Sequence, residues 1–266
     1  MKTYDDIEPT EHIKVLFWAP SGAGKTSFAS TWPGVVFVDC DMGIDVIKSK
    51  AYLDIYGSKP DLVGYKQFDD KRAPKTGLFI SADAYWEVIE FMNELLSMEE
   101  VQTIVIDSLS SFQVLAMNVG LELSGVHKRS QTLAKARMAK GIPIALPTQA
   151  DFGSEMSAFQ QFMDQAIGFP KNIIFIAHER DETNPEGISV RREPLLIGSA
   201  IRARVGKWFN EVWYLDVGKG GERRLLTNST NKLKGLKSGS LSIPDGLSNP
   251  TYERIMEEVK KQAKKS

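Results

Sequence analysis

The chain of 266 residues has a single cysteine, Cys40. No internal disulfide can form, so the fold has to stand on packing and hydrogen bonding alone. That excludes the disulfide-stapled secreted scaffolds and leads us to expect a reducing, cytoplasmic setting. Cys40 itself sits in an apolar run and reads as a core residue. Long apolar runs are missing too. None approaches the roughly 18 residues of a membrane-spanning helix, so no membrane partner is expected. The opening stretch MKTYDDIEPTEHIK is acidic and lacks the apolar core of a signal peptide. Net charge is also lacking: at −1, the chain has no bulk attraction for nucleic acid. Apolar residues at 42% and charged residues at 25% are ordinary for a soluble globular protein long enough to bury a full core.

Charge is unevenly spread. From Arg202 to Lys237 basic residues outnumber acidic ones, and the tail VKKQAKKS is basic. A local basic face on a neutral protein can still meet a polyanion, although a solvated lysine-rich surface looks the same in sequence.

Short apolar runs organise the chain. IKVLFWA, VVFVDCD, VQTIVIDSLSSF and NIIFIAHE read as buried strands. Helical spacing marks residues 82–97, and KTSFASTW, 109–123, SEMSAFQQFMDQAIGF and the tail NPTYERIMEEVKKQAKKS also read as helices. Residues 180–198 read as a loop or hairpin, and FNEVWYLDV and ERRLLTN as late strands around a glycine-rich turn. Alternating apolar strands and amphipathic helices imply an α/β fold, mainly a parallel sheet flanked by helices, with late antiparallel strands. We divide the chain into a core, residues 1–230, and an extension with a terminal helix, residues 231–266. Residues 124–153 are an irregular, partly basic insertion in that core.

The stretch APSGAGKTS, Ala19 to Ser27, lies between a strand and a helix. It matches the P-loop pattern G-x-x-x-x-G-K-[ST] except that Ala19 stands at the first Gly. Gly22 and Gly24 let the backbone form a nest of N–H groups around phosphates, with Ser21, Ala23 and Ser27 completing the cradle. Lys25 should reach the β- and γ-phosphates, and Thr26 should ligate Mg²⁺ through its hydroxyl. The start of the following helix adds its positive dipole end. A methyl at Ala19 is tolerable at a strand end. Asp107, closing TIVID, is the partner acid for Mg²⁺, the Walker B position. Asp39 and Asp41 close another strand. Spacing alone leaves two readings for them: a base that polarises the attacking water, or caps for the following turn.

The run FVDCDMGID resembles the strand that carries the catalytic glutamate of RecA-type recombinases, with Asp41 where the Glu stands. TIVIDSLSSF and NIIFIAHE resemble the next core strands of that family. The resemblance covers about residues 12–230 and implies a RecA-like P-loop NTPase core with ATP and Mg²⁺ as ligands. It implies Asp41 as the catalytic base and His178 as a γ-phosphate sensor, beside Lys25. Within the group the chain is most similar to compact phage-encoded ATPases of single-strand annealing and recombination. The length, the Asp151-Phe-Gly segment and the ending GKWFNEVWYLD carry that likeness. It further implies rings or filaments, with a cation supplied by a neighbouring subunit. Candidates are Arg202, Arg204, Lys207 and Lys219. DNA contact is implied for the loops after the Walker B and sensor strands, hence Lys128, Arg129, Arg191 and Arg192. Few aromatics interleave there, so phosphate contact rather than base stacking is expected. Single-stranded DNA, other copies of the chain and a single-strand-binding protein are the expected partners.

The leading expectation is thus a Mg²⁺-dependent ATPase acting on single-stranded DNA. Asp41, one methylene shorter than Glu, makes slow turnover an expectation of the same reading. The alternatives are a DNA-independent or helicase-loader-like ATPase, and a nucleotide-gated assembly protein with little turnover. A GTPase is disfavoured, because Asn231-Lys-Leu-Lys lacks the acid of a guanine-reading motif. A metabolite kinase would need a second substrate site that the sequence does not display.

Overall fold

Strands that are apolar on both faces can only be stable between two layers, and four of them build the centre of this molecule. The computed structural model describes residues 11–71, 81–123, 138–139, 142–143, 147, 149–218 and 220–264. Most of the 124–153 insertion, with Lys128 and Arg129, lies outside the described residues, as does Lys219. No helix of the described residues is long and apolar enough to cross a membrane.

In chain order the first strands are β1 (Lys14–Ala19), β2 (Val35–Asp39), β3 (Leu62–Gln67) and β4 (Thr103–Asp107). The short pair β5 (Met138–Ala139) and β6 (Ile142–Pro143) stands apart from the main sheet. There follow β7 (Asn172–Thr183), β8 (Ser189–Pro194), β9 (Glu211–Val217), β10 (Arg223–Leu226), β11 (Lys237–Ser238) and β12 (Leu247–Ser248). The helices are α1 (Lys25–Ala29), α2 (Lys50–Tyr56), α3 (Asp83–Leu96), α4 (Leu109–Leu123), α5 (Gln149–Ile167), α6 (Ser199–Arg204) and α7 (Tyr252–Ala263).

The sheet runs β12-β10-β9-β1-β7-β4-β2-β3. From β9 to β3 the pairings are parallel. The late strands β10, β11 and β12 add to it antiparallel, and β8 folds back on β7 as a hairpin. The expected class, an α/β fold with a mainly parallel sheet and late antiparallel strands, is the one observed. Side chains alternate between the two faces, as the strand period requires. Leu16, Trp18, Val36, Ile104 and Phe175 face a core closed by α3, α4 and α5. Val15, Phe17, Val35, Val105 and Ile174 face a second core closed by α1, α2 and α7. Each such buried side chain contributes about 1.5–3 kcal/mol against exposure. Helices α4 and α5 meet closely at Gly120, where a Cβ would lie 3.1 Å from the Asp151 carbonyl. Beside that approach a buried bond runs from Gln113 Nε2 to Glu155 Oε1, 2.6 Å.

Register places the functional ends together. Ala19 pairs with His178, and Asp39 pairs with Asp107. All of them lie at the carboxyl edge of the sheet, where the loops that carry chemistry emerge.

Two expectations need correction, and one strand carried no expectation. Strand β3 went unread in sequence because LVGYKQ is mostly exposed at the sheet edge and lacks an apolar alternation. Strand β2 ends at Asp39, so Asp41 stands on the following turn rather than on the strand. Helix α5 begins at Gln149, so Asp151-Phe-Gly is part of the helix and not a separate segment.

At the other end of the sheet, Glu211 is fully buried. Its carboxylate accepts from Ser240 N–H at 2.9 Å, Leu241 N–H at 2.8 Å and the Trp213 indole at 3.0 Å. It fastens the C-terminal stretch to β9. Replacing it leaves the buried Trp213 indole without an acceptor and unties the Ser240 and Leu241 amides. Glu211→Ala is expected to lose roughly 3 kcal/mol in a urea unfolding titration.

Candidate nucleotide site

The chain leaves β1 at Ala19 and turns through Gly22 (φ 78°) and Gly24 (φ 89°) into α1. Both angles lie in the left-handed region that glycine reaches at little cost. Ala19 is a buried strand residue paired with His178, and its methyl faces the second core. The position therefore asks nothing of glycine. Lys25 Nζ donates to the loop's own carbonyls, Pro20 O at 3.0 Å and Ala19 O at 3.2 Å. Burial pulls the Lys25 ammonium below its ordinary range, against the charges of Asp107, Asp41 and Glu179. An arriving phosphate would replace the carbonyls and favour the charged ammonium.

Thr26 Oγ1 donates to Asp107 Oδ2 at 2.6 Å, across β7, which separates β1 from β4. Burial pushes the Asp107 carboxyl up to about 7, opposed by the Thr26 bond and Lys25 and helped by Asp41 and Asp39. A hydroxyl and a carboxylate held together are hard oxygen donors that fit Mg²⁺, which keeps its other positions for phosphate and water. The Asp107–Ser108 peptide is cis.

The two acids left open by spacing divide their work. Asp39 is buried and accepts from Asp41 N–H at 3.1 Å, Gly43 N–H at 3.2 Å, Ile44 N–H at 3.2 Å and Gln67 Nε2 at 3.0 Å. It builds the turn. Asp41 is what that turn presents. Its carboxylate meets His178 Nε2 at 2.8 Å and accepts from Ser108 Oγ at 3.0 Å. Burial alone would raise the Asp41 pKa, but bonds from His178, Ser111 and Ser108 and the His178 charge outweigh it. The net effect is a carboxyl below its usual range, ionised at neutral pH. His178 is placed in turn by its backbone N–H, which donates to Ser110 Oγ at 3.0 Å.

One cavity of about 340 Å³ is lined by Lys25, Thr26, Asp41, Asp107, His178 and Arg223. Ser21, Gly22, Gly24 and Ser27 also line it, while Ala23 is buried behind them. Tyr52 and Ile55 form an apolar side to it. The structure thus gathers the expected loop, metal and catalytic residues around one space. The other basic residues stand elsewhere. Arg202 Nε pairs with Glu193 at 2.9 Å, and Arg191 Nη2 pairs with the same carboxylate at 2.8 Å. Arg192 lies 3.5 Å from Asp181 and donates to Tyr214 Oη at 3.2 Å. Arg204 and Lys207 are exposed, away from the cavity. Arg223 is the residue that sequence reasoning missed. Its Nε donates to Ala23 O at 2.9 Å, from a strand remote in sequence, so no local spacing could have shown it.

A glycine-rich loop with its Lys and Thr, joined to a strand-end Asp on a mainly parallel sheet, defines a P-loop nucleotide-binding protein. Its family is shown directly: the model described as AAA domain matches residues 11–235, and the chain belongs to that family of P-loop ATPases. No curated protein matches it. Among solved structures it is similar to a KaiC-like protein from the hyperthermophilic archaeon Pyrococcus horikoshii, at 13% identity and a TM-score of 0.41. That match covers 80% of this chain and 77% of the other.

Gly24 is the tightest point of the cradle: a Cβ there would lie 2.6 Å from Arg223 Nε, on a left-handed backbone. Gly24→Ala is expected to lower stability by about 1–2 kcal/mol from backbone strain alone. It should also abolish binding of a fluorescent ATP analogue at concentrations that saturate the wild type.

Proposed function

We propose that the protein is a Mg²⁺-dependent ATPase that acts on single-stranded DNA in recombination or annealing of the phage type. The observation that carries the catalytic half is Asp41, held by His178 Nε2 at 2.8 Å at the cavity that Lys25, Thr26 and Asp107 also line. In this reading Lys25 leaves the loop carbonyls for the β- and γ-phosphates. Thr26 and Asp107 hold Mg²⁺, which neutralises phosphate charge when bound. Asp41 orients a water and takes its proton as the water oxygen bonds to the γ-phosphorus. The bond to the β–γ bridging oxygen breaks, and that oxygen leaves on ADP. His178 keeps Asp41 in place and faces the γ-phosphate.

The same contact supports slow turnover. Asp41 has a short reach, and its oxygens are engaged by His178 and Ser108. A nucleotide-gated assembly protein is therefore the second reading. For DNA the support is the hairpin that begins at His178: Arg191 and Arg192 extend from it, each tied to an acid yet partly exposed. Self-association as a ring or filament, and a single-strand-binding protein as partner, belong to the same proposal.

ATP turnover measured with and without single-stranded DNA tests it, beside a Lys25→Ala control. DNA-stimulated turnover that Lys25→Ala abolishes is the expected result. Equal turnover either way removes the DNA from the reading. ATP binding without turnover, with ATP-dependent oligomers, favours the assembly reading instead. Asp41→Asn should lower turnover about 100-fold or more while leaving ATP binding in place. DNA affinity should fall steeply as salt rises, since phosphate contacts carry it.

A further inference from the structure

Arg223 lacks the ion pair that most arginines among the described residues make, and unlike Arg204 and Arg254, which lack one too, it lines the P-loop cavity. Arg180, Arg191, Arg192, Arg202 and Arg224 each meet a carboxylate of the same chain. Among the described residues no carboxylate lies within ion-pair distance of Arg223. Its partner is a neutral one, the Ala23 carbonyl of the P-loop, at 2.9 Å. A guanidinium carries five donors, and only Nε is engaged in this bond. An uncompensated cation lying against an anion-binding loop is short of a counter-ion.

Its position is built. Residue 223 opens β10, opposite Val217 of β9. Its backbone N–H donates to Asn249 Oδ1 at 3.3 Å, and its carbonyl accepts from Asn249 N–H at 2.6 Å. The side chain then crosses to the loop, where Nη2 falls 2.8 Å from the site of a Gly24 Cβ. Only a glycine leaves room for it there.

Arg223 also divides two spaces. On one side is the P-loop cavity. On the other is a second cavity of about 260 Å³, lined by Ile55, Tyr56 and Pro250 among others. The Tyr56 hydroxyl is buried there without a hydrogen-bond partner. Both a cation and a donor at this boundary are thus left incompletely satisfied.

We propose that Arg223 is a nucleotide-contacting cation supplied by the same chain, exchanging the Ala23 carbonyl for the phosphate chain of the bound nucleotide. This rests on the reading of the cavity as a nucleotide site. It is independent of any cation from a neighbouring subunit and of DNA. Arginine suits the task because its planar fork can meet phosphate oxygens through two parallel N–H bonds.

The test is equilibrium binding of adenosine, AMP, ADP and ATP to the full chain with Mg²⁺. Wild type is compared with Arg223→Gln, which keeps an N–H donor for Ala23 but loses the charge, and with Arg223→Lys. Melting curves without nucleotide establish that each variant is folded, and Arg223→Lys carries the test where Arg223→Gln is not. For Arg223→Gln, ADP and ATP dissociation constants should rise roughly tenfold or more, with adenosine unchanged. Arg223→Lys should recover part of the loss and show the same dependence on phosphate. A loss of equal size for adenosine and ATP would mean that Arg223 only shapes the loop, and overturns the proposal. So do unchanged constants for every ligand in the folded variants. A wild type that binds none of the ligands overturns the nucleotide reading itself, and this proposal with it.

Discussion

Asp107 fastens three strand ends to one another. Its main-chain carbonyl accepts from Cys40 N–H at 2.6 Å and Asp41 N–H at 3.2 Å, closing β4 onto the turn after β2. Its carboxylate accepts from Thr26 at 2.6 Å, closing β4 onto the start of α1, which follows β1. The turn that Asp39 builds to present Asp41, and the start of α1 that carries Lys25, are therefore both tied to one residue. The arrangement is electrostatically unfavourable as it stands, since a buried carboxylate near two others resists ionisation. Burial raising its pKa to about 7 expresses that. Lys25 offsets part of it, and a divalent cation held by Thr26 and Asp107 would offset more. The surplus of carboxylates favours a divalent cation there.

The division between Asp39 and Asp41 shows where sequence reading stops. Two acids two residues apart at a strand end are equivalent on paper. In three dimensions strand alternation does not separate them, because the strand has ended; hydrogen-bond supply does. Asp39 faces the N–H groups of residues 41, 43 and 44 and is consumed by them. Asp41 points the other way and finds His178, whose strand is brought alongside by the parallel register of β7 with β1 and β4.

The legible parts were those whose signal is local. Strands β1, β2, β4 and β7 show as unbroken apolar runs because both of their faces are buried. The P-loop shows as a motif because its glycines, lysine and threonine are contiguous. Strand β3 lies at the edge, where packing places no demand on alternation, and so left no pattern. Arg223 had no signal of either kind: its meaning comes from a strand pairing that returns the chain to the P-loop after most of its length. The Asp151-Phe-Gly segment misled in the opposite sense. It falls at the end of the irregular 124–153 stretch, yet it lies in α5, which packs closely on α4 at Gly120.

The cations can be compared by what each would leave behind. Glu193 is buried and collects Arg180 at 2.6 Å, Arg191 at 2.8 Å and Arg202 at 2.9 Å. Arg202 also donates to the Leu196 carbonyl at 2.7 Å, which holds α6 to the end of the hairpin. Reaching a neighbouring subunit would take Arg202 away from a buried carboxylate and a carbonyl together. Breaking such a charge-assisted bond costs about 1.5–3 kcal/mol before any new contact forms. Arg191 gives up less by meeting DNA, since half of its side chain is already in solvent and outward donors can bind phosphate without releasing Glu193. Arg223 gives up only a neutral carbonyl. On these grounds the cation most readily recruited by a phosphate in the cavity comes from the same chain. Assembly with other copies then adds to a site that already holds a positive charge of its own.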